Sequence, residues 1–176
     1  MSLETLIDSI PHYARDIRVN LGNVLKQTEL TGQQLWGTAV ASAIASRNDS
    51  VIRAIETEAA LHVSPETIEA ARTAAAIMAM NNVYYRFLHL TDNDKYSSIP
   101  AKLRMQGLRS HGLDQVDFEL WCTAVSAINN CPACVASHER IVREKGLTEE
   151  HVLAAIRIAA VIHAAATAIE EQAARL

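Results

Sequence analysis

Apolar positions along the chain fall into long runs, separated by short breaks rich in polar residues, glycine or proline. The longest run, Ile158 to Ile169, is interrupted only where His163 and Thr167 enter it. Two stretches read as loops, Thr91-Asp92-Asn93-Asp94-Lys95 and the segment from Gly107 to Asp114. Ser64-Pro65 reads as a helix N-cap followed by proline at the first helical position, where its missing N–H is no loss. Ser98-Ile99-Pro100 is expected to open another helix. Gly107 and Gly146 stand where C-terminal caps are expected. Thr148 with Glu149 and Glu150 starts a helix that suits the positive end of its dipole. This punctuation predicts helices over 3–9, 12–26, 31–47, 50–62, 65–89, 98–106, 116–129, 132–145 and 148–173.

Composition strengthens the all-α reading. Twenty-nine of the 176 residues are alanine, against six glycines and four prolines. Alanine loses no side-chain entropy on entering a helix and has the best intrinsic propensity. A hydrophobic fraction of 49% is enough for one core. The length suits one domain, or two small repeats that share a core.

Charge and flanks narrow the function classes. The net charge of −4 argues against nucleic acid as a partner, since a basic face is the usual footprint of such binding. No lysine/arginine cluster points to a membrane surface, and Ile158–Ile169 is short for a membrane span. Met1 to Tyr13 lacks a basic segment leading into an apolar one, so no secretory signal is expected. The chain is read as cytoplasmic. Its three cysteines, an odd number, do not suit a disulfide-stapled secreted domain.

The sequence repeats at an offset of 85. Leu35-Trp36-Gly37-Thr38-Ala39-Val40-Ala41 lies over Leu120-Trp121-Cys122-Thr123-Ala124-Val125-Ser126, with five of seven pairs identical. Ala70–Ala79 lies over Ala155–Ala164 with six of ten identical, Arg72 over Arg157 among them. Two related helical halves packed on one another follow, about 1–90 and 91–176 of a single domain. At this offset Cys131 lies over Ser46, Cys134 over Asp49, His138 over Arg53 and Glu119 over Gln34. The scaffold repeats and the reactive side chains do not. The first half is therefore expected to be structural and the second to hold the site.

Cys131-Pro132-Ala133-Cys134 carries the chemistry. Proline prefers the first helical position and keeps the residue before it out of α geometry, which puts Cys131 at the N-cap. Cys134 then falls at the third helical position, on the same side. Unpaired N–H groups at a helix start stabilise a thiolate and lower a cysteine pKa from about 8.5 into the range of roughly 3.5–7.5. A thiolate with a resolving thiol three residues away is the minimum for thiol–disulfide exchange. His138 follows Cys134 by four residues, hence one turn on and on one face, placed to take and return a proton. Glu119, on the preceding helix, is a candidate to orient that imidazole.

Bland readings hold elsewhere. His12, His62, His89, His111, His151 and His163 read as ordinary surface or core residues. Cys122 reads as a small buried hydrophobe, and the tryptophans with Met78 and Met80 as core. A CxxC also occurs in zinc sites. Here, though, only Cys131, Cys134, His138 and Glu119 are near, with no second CxxC. Three classes stay open at this level: a dithiol redox enzyme, a non-redox enzyme of the lactone-decarboxylase kind, and a zinc-binding or interaction protein.

The string Glu119-x11-Cys131-x2-Cys134-x3-His138 resembles the site motif of the alkylhydroperoxidase AhpD family, within the carboxymuconolactone decarboxylase-like superfamily. The likeness extends to Pro11-His12-Tyr13-Ala14-Arg15-Asp16-Ile17, Asn20-Leu21, Leu35-Trp36-Gly37-Thr38, Met80-Asn81-Asn82-Val83-Tyr84-Tyr85-Arg86, Phe118-Glu119-Leu120-Trp121 and Ala124–Asn129. The resemblance implies an all-α fold of two similar halves, assembled as a homotrimer, and a cytoplasmic antioxidant peroxidase. It implies electrons passed from the dihydrolipoyl group of a lipoylated acyltransferase to hydroperoxides and to the peroxiredoxin AhpC. By the same resemblance Cys134 is the peroxide-attacking thiol that becomes a sulfenic acid. Cys131 is the exposed proton donor and resolving thiol, pairs with Cys134 in a redox disulfide, and forms the mixed disulfide with AhpC. His138 and Glu119 relay protons, and neither metal nor flavin is expected. One position departs from the family pattern: Ala133 stands where relatives carry a second histidine between the cysteines.

Overall fold

The computed structural model describes residues 1–91 and 93–175; Asp92, within the first expected loop, lies outside them. Eight α-helices make up the fold among these residues, with no strand: α1 (Leu3–Ser9), α2 (Arg15–Val24), α3 (Gly32–Ser46), α4 (Asp49–Ala59), α5 (Pro65–Leu90), α6 (Gln115–Ile128), α7 (Pro132–Glu144) and α8 (Glu149–Ala173). The starts are chemically marked. Ser64 caps α5 by accepting from the Thr67 N–H, with Pro65 at the first position. Thr31 and Gln34 form a reciprocal capping box on α3. Asn48 accepts from the N–H groups of Ser50 and Val51 ahead of α4. At the end of α7, Gly146 takes the left-handed conformation (φ +99°) that releases the chain towards α8.

The triplet α3–α4–α5 recurs as α6–α7–α8, each helix starting within two residues of the 85-residue offset. The two halves interlock. Helix α3 packs against both α6 and α8, and α5 against α6 and α7. Alanines fill these seams (Ala39, Ala41 and Ala43 on α3, Ala70, Ala71 and Ala74 on α5, Ala154, Ala155 and Ala165 on α8), so the helix axes can approach closely. Trp121 and Phe118 are the two largest fully buried side chains. Gly37 makes room for the larger of the two: a Cβ there would stand 2.2 Å from the Trp121 ring.

One expected helix does not form. Residues 98–106 run in irregular backbone between a 3-10 turn at Asp94–Ser98 and another at Gln106–Leu108, and Lys102 takes a positive φ of 52°. Lys102, Leu103 and Arg104 are exposed, so an apolar face gains little from burial there. A helix this short cannot repay its nucleation cost by local propensity alone. Gly107 is therefore no helix cap; it lies inside the second 3-10 turn, pressed against Ile77 on α5. The expected 12–26 helix opens as a 3-10 turn at His12–Ala14 before α2. Helix α8, at 25 residues, is long and apolar enough by length and composition to cross a membrane, more than the run Ile158–Ile169 suggests. Half of that apolar window is buried within the protein, and α8 packs on α2, α3 and α6.

Candidate active site

The α6–α7 turn builds the reactive corner. Asn130 adopts a left-handed conformation (φ +54°), and the Cys131 N–H reaches back to the Ser126 carbonyl at 3.1 Å. This reversal makes Cys131 the N-cap of α7, as its place before Pro132 predicts, and its sulfur accepts from the Cys134 N–H at 3.3 Å. Cys131 and Cys134 are joined in a disulfide, with their Cα atoms 5.3 Å apart. From α5, Asn82 and Arg86 clamp the turn: Arg86 donates to the Asn129 carbonyl at 2.6 Å, and Asn129 donates to Asn82 Oδ1 at 3.0 Å.

Cys131 is not exposed. Its accessibility is 0% and that of Cys134 is 5%. The cause is the turn itself, which folds the N-cap side chain under the first turn of α7. The two cysteines lie along different depressions. Cys134 lines a cleft of about 340 Å³ together with Glu119, His138, Ala133, Gln115, Asn81, Tyr85 and Met105. Cys131 borders another, with Ser126, Asn130, Pro132 and Val135.

His138 and Glu119 meet. His138 Nδ1 lies 2.5 Å from Glu119 Oε2, and both side chains are largely buried. Burial is the largest influence on the Glu119 carboxyl and pushes its pKa up; the hydrogen bonds from His138 and Gln115, with the nearby charge of His138 and His111, outweigh it, and the net pKa is lowered. Glu119 is therefore a carboxylate near neutral pH and can only accept. The His138 Nδ1 carries the shared proton, which leaves Nε2 as the nitrogen free for proton transfer.

The relay extends further back than the sequence suggests. Gln115 donates to Glu119 Oε1 at 2.7 Å and to the Leu108 carbonyl at 3.2 Å. Behind it, His111 Nε2 lies 3.0 Å from Gln115 Oε1, while His111 Nδ1 accepts from the Leu113 N–H at 3.3 Å. That acceptance fixes Nε2–H as the donor to Gln115. His111 also stacks on Phe118, with ring centroids 4.0 Å apart. It is thus a partner in a buried chain rather than the ordinary residue its sequence context indicates. The spacing 111, 115, 119 was a visible signal of one helical face, obscured because His111 precedes the helix. Asn81, Tyr85 and Met105 also escaped the sequence reading, since only the packing of α5 and the 98–106 segment against α6 and α7 brings them to the cleft.

Cys122 is free and fully buried, and burial pushes its thiol pKa well up, with the Glu119 charge adding to the effect. Its surroundings match the reading as a small core residue. The positions that lie over the site at offset 85 do other work. Gln34 completes the α3 capping box and donates to Asp117 on α6 at 2.8 Å, stitching one half to the other. Arg53 and Asp49 form an exposed ion pair with each other. Among the described residues no three His, Cys, Asp or Glu side chains converge as metal ligands.

A paired CxxC at a helix start with a histidine–carboxylate couple beside it is the chemistry on which comparison with known proteins turns. The model of the carboxymuconolactone decarboxylase family matches residues 95–175, the half that holds the site. Over nearly the full chain the similarity is closer. The alkyl hydroperoxide reductase AhpD of Solibacter usitatus is 55% identical over 173 residues, covering 98% of this chain and 98% of the relative. The alkyl hydroperoxide reductase AhpD of Acidobacterium capsulatum is 54% identical, covering 98% and 94%. That of Rhodospirillum centenum is 51% identical, covering 99% and 94%. The chain belongs to the AhpD family. Its all-helical architecture and its CxxC pair are those expected of an AhpD, and the match across α1 to α8 brings the first half into the family as well as the half with the cysteines.

Proposed function

We propose that this protein is an AhpD-type hydroperoxide reductase that works through a Cys131/Cys134 dithiol–disulfide cycle. The observation that supports it best is the opening of Cys134, His138 and Glu119 into one cleft, with Cys131 bonded to Cys134 from behind. In the reduced protein, His138 Nε2 accepts the Cys134 thiol proton, and the unpaired N–H groups at the start of α7 favour the thiolate. The thiolate attacks the terminal oxygen of the hydroperoxide ROOH. A sulfur–oxygen bond forms, the O–O bond breaks, and the electron pair leaves on RO⁻, which takes the proton from His138 and departs as ROH. Cys134 is left as a sulfenic acid. The Cys131 thiol then attacks the Cys134 sulfur; the disulfide forms, and hydroxide leaves with the Cys131 proton as water.

Reduction closes the cycle, and in this reading a dihydrolipoyl group on a lipoylated acyltransferase supplies the two electrons. Cys131, bordering its own depression, is the sulfur through which disulfides are exchanged, including that of a peroxiredoxin of the AhpC kind. No bound cofactor takes part in these steps, and the second half of the chain, about 91–176, does the chemistry. The same reading makes the protein cytoplasmic and homotrimeric. Val83, Phe87 and Leu90, one stripe of α5, stand exposed beside Tyr96 and Ile99, which suits burial against another copy.

The test is a coupled assay of dihydrolipoamide oxidation with cumene hydroperoxide. Hydroperoxide-dependent turnover that disappears in Cys134→Ser and in Cys131→Ser supports the proposal. Turnover that survives either substitution, or none in the wild type, refutes it. Size-exclusion chromatography with light scattering tests the trimer.

A further inference from the structure

Two asparagines stand side by side on α5, and both are buried: Asn81 is 4% exposed and Asn82 1%. Asn82 is fully employed. It donates to Ser126 Oγ at 3.0 Å and accepts from Asn129 at 3.0 Å. Asn81 is not: its Oδ1 is buried with no hydrogen-bond partner. A buried acceptor left unsatisfied costs roughly 1–3 kcal/mol, and an apolar side chain of similar volume avoids that cost. Two other atoms share the condition, Arg18 Nε and Ser42 Oγ. Arg18 donates from Nη2 to the Asp8 and Ile10 carbonyls, and Ser42 lies in the α3 core. Asn81 alone of the three lines the cleft of Cys134, Glu119 and His138.

An unsatisfied acceptor in a reactive cleft calls for a ligand that brings a donor. The two substrate types of the proposed cycle differ here. A hydroperoxide carries one O–H; a disulfide carries none. We propose that the Asn81 carboxamide binds the terminal O–H of the hydroperoxide and orients the O–O bond for attack by Cys134. The inference rests on the hydroperoxide reductase reading and names a residue of that same site.

The chemistry is consistent through the step. The terminal oxygen held by Asn81 is the one attacked. It keeps its hydrogen, bonds to Cys134 sulfur, and becomes the hydroxyl of the sulfenic acid while the electron pair of the O–O bond leaves on RO⁻. One hydrogen bond thus serves substrate and intermediate alike, and Cys131 displaces that same hydroxyl as water. The arrangement supplies a polar anchor at a cleft where Ala133 contributes none.

The experiment compares wild type with Asn81→Leu and Asn81→Ser. Under one dihydrolipoamide supply, kcat/KM is measured for cumene hydroperoxide and for the disulfide 5,5′-dithiobis(2-nitrobenzoate), together with the melting temperature. The peroxide-to-disulfide activity ratio is expected to fall by about tenfold or more in Asn81→Leu, the loss of one hydrogen bond to a reacting group. Asn81→Ser, which keeps an acceptor, is expected to recover part of the ratio. The melting temperature of Asn81→Leu is expected to stay level or rise, because a structural role would lower it. An unchanged ratio in a variant that still reduces peroxide overturns the Asn81 assignment and leaves the functional reading standing. A parallel loss of both activities with a lowered melting temperature assigns Asn81 to the fold instead. A wild type that reduces the disulfide and no hydroperoxide overturns both.

Discussion

Gln115 precedes Glu119 by one helical turn and donates to its Oε1 at 2.7 Å, while Glu119 Oε2 is taken by His138. Both carboxylate oxygens are therefore held, one from each side, and the lowered pKa of Glu119 depends on both bonds. Gln115→Leu removes one bond to the ionised form, so the carboxyl pKa rises towards its ordinary 4.5 or above, since burial still opposes the charge. The acid limb of the pH–rate profile for peroxide turnover is expected to move to higher pH, with a loss of only a few-fold near neutrality (roughly, from one hydrogen bond). The stability that Glu119 adds by being ionised is present above the ordinary carboxylate range and is lost as pH falls through the lowered value. In the variant, whose carboxyl pKa moves to the ordinary value or above, that contribution shrinks to nothing or reverses, so stability falls less steeply over the same acid range. Thermal melts between about pH 3 and pH 7 measure it; superimposable pH profiles would remove Gln115 from the relay.

His138→Gln deletes the free Nε2 and leaves the helix intact. Thiol alkylation of reduced Cys134 is expected to slow at neutral pH, with its midpoint displaced upward. Peroxide turnover should fall by roughly 10²–10⁴-fold, the span of general acid–base contributions. Iodoacetamide kinetics followed by mass spectrometry, peptide by peptide, separates Cys134 from Cys131. A pH–rate profile identical to that of the wild type would show that another group takes the proton.

The first-half positions that lie over the two cysteines, Ser46 and Asp49, are expected to be silent in catalysis. Ser46 bonds within its own helix to the Ser42 carbonyl at 2.8 Å, and Asp49 pairs with Arg53 on the surface. Ser46→Ala and Asp49→Ala should each leave turnover within about twofold and stability within ~1 kcal/mol, as for most surface changes. A large loss of turnover in either variant, with its melting temperature preserved, would place a reactive group in the wrong half.

Much of this architecture was legible in the chain. The 85-residue offset found the two triplets because Leu35–Ala41 and Leu120–Ser126 occupy the same buried seam and obey the same packing. Pro132 placed Cys131 at the N-cap because the proline ring leaves few options. No helix forms over 98–106 because most of its side chains, Lys102 to Arg104 among them, face water, and local propensity has no apolar burial to support it. Cys131 was expected to be exposed, and the back-bond from its N–H to Ser126 turned it inward. Asn81 and Tyr85 fall within the Met80–Arg86 likeness, which assigns them no role, and Met105 stands outside it; all three join the site only through contacts made across tens of residues.

Ala133 opens the last prediction. It sits half-buried on the cleft wall beside Cys134, at the position where the family resemblance implies a histidine. Exchange with a disulfide needs a thiolate and a resolving thiol, and both are present. Peroxide cleavage also needs a proton for the departing oxygen. Ala133→His is therefore expected to raise hydroperoxide turnover several-fold (~3–10-fold, at the low end of general acid contributions) while changing disulfide reduction little. Both activities are measured under one thiol supply. Equal effects on the two, or no gain with peroxide, would show that the missing imidazole does not set the balance.

The close approach of Trp121 to Gly37 makes the relation between the halves one-directional. At the matching place in the second half stands Cys122, whose side chain would occupy the space that Gly37 leaves to the indole. Two copies of the second half could not embrace as the first and second do, because each indole would meet a sulfur where it now meets a bare Cα. The likeness between the halves breaks at this contact: one half is the mould and the other the casting. A cysteine-bearing half cut loose from its partner therefore has no equal substitute in another copy of itself.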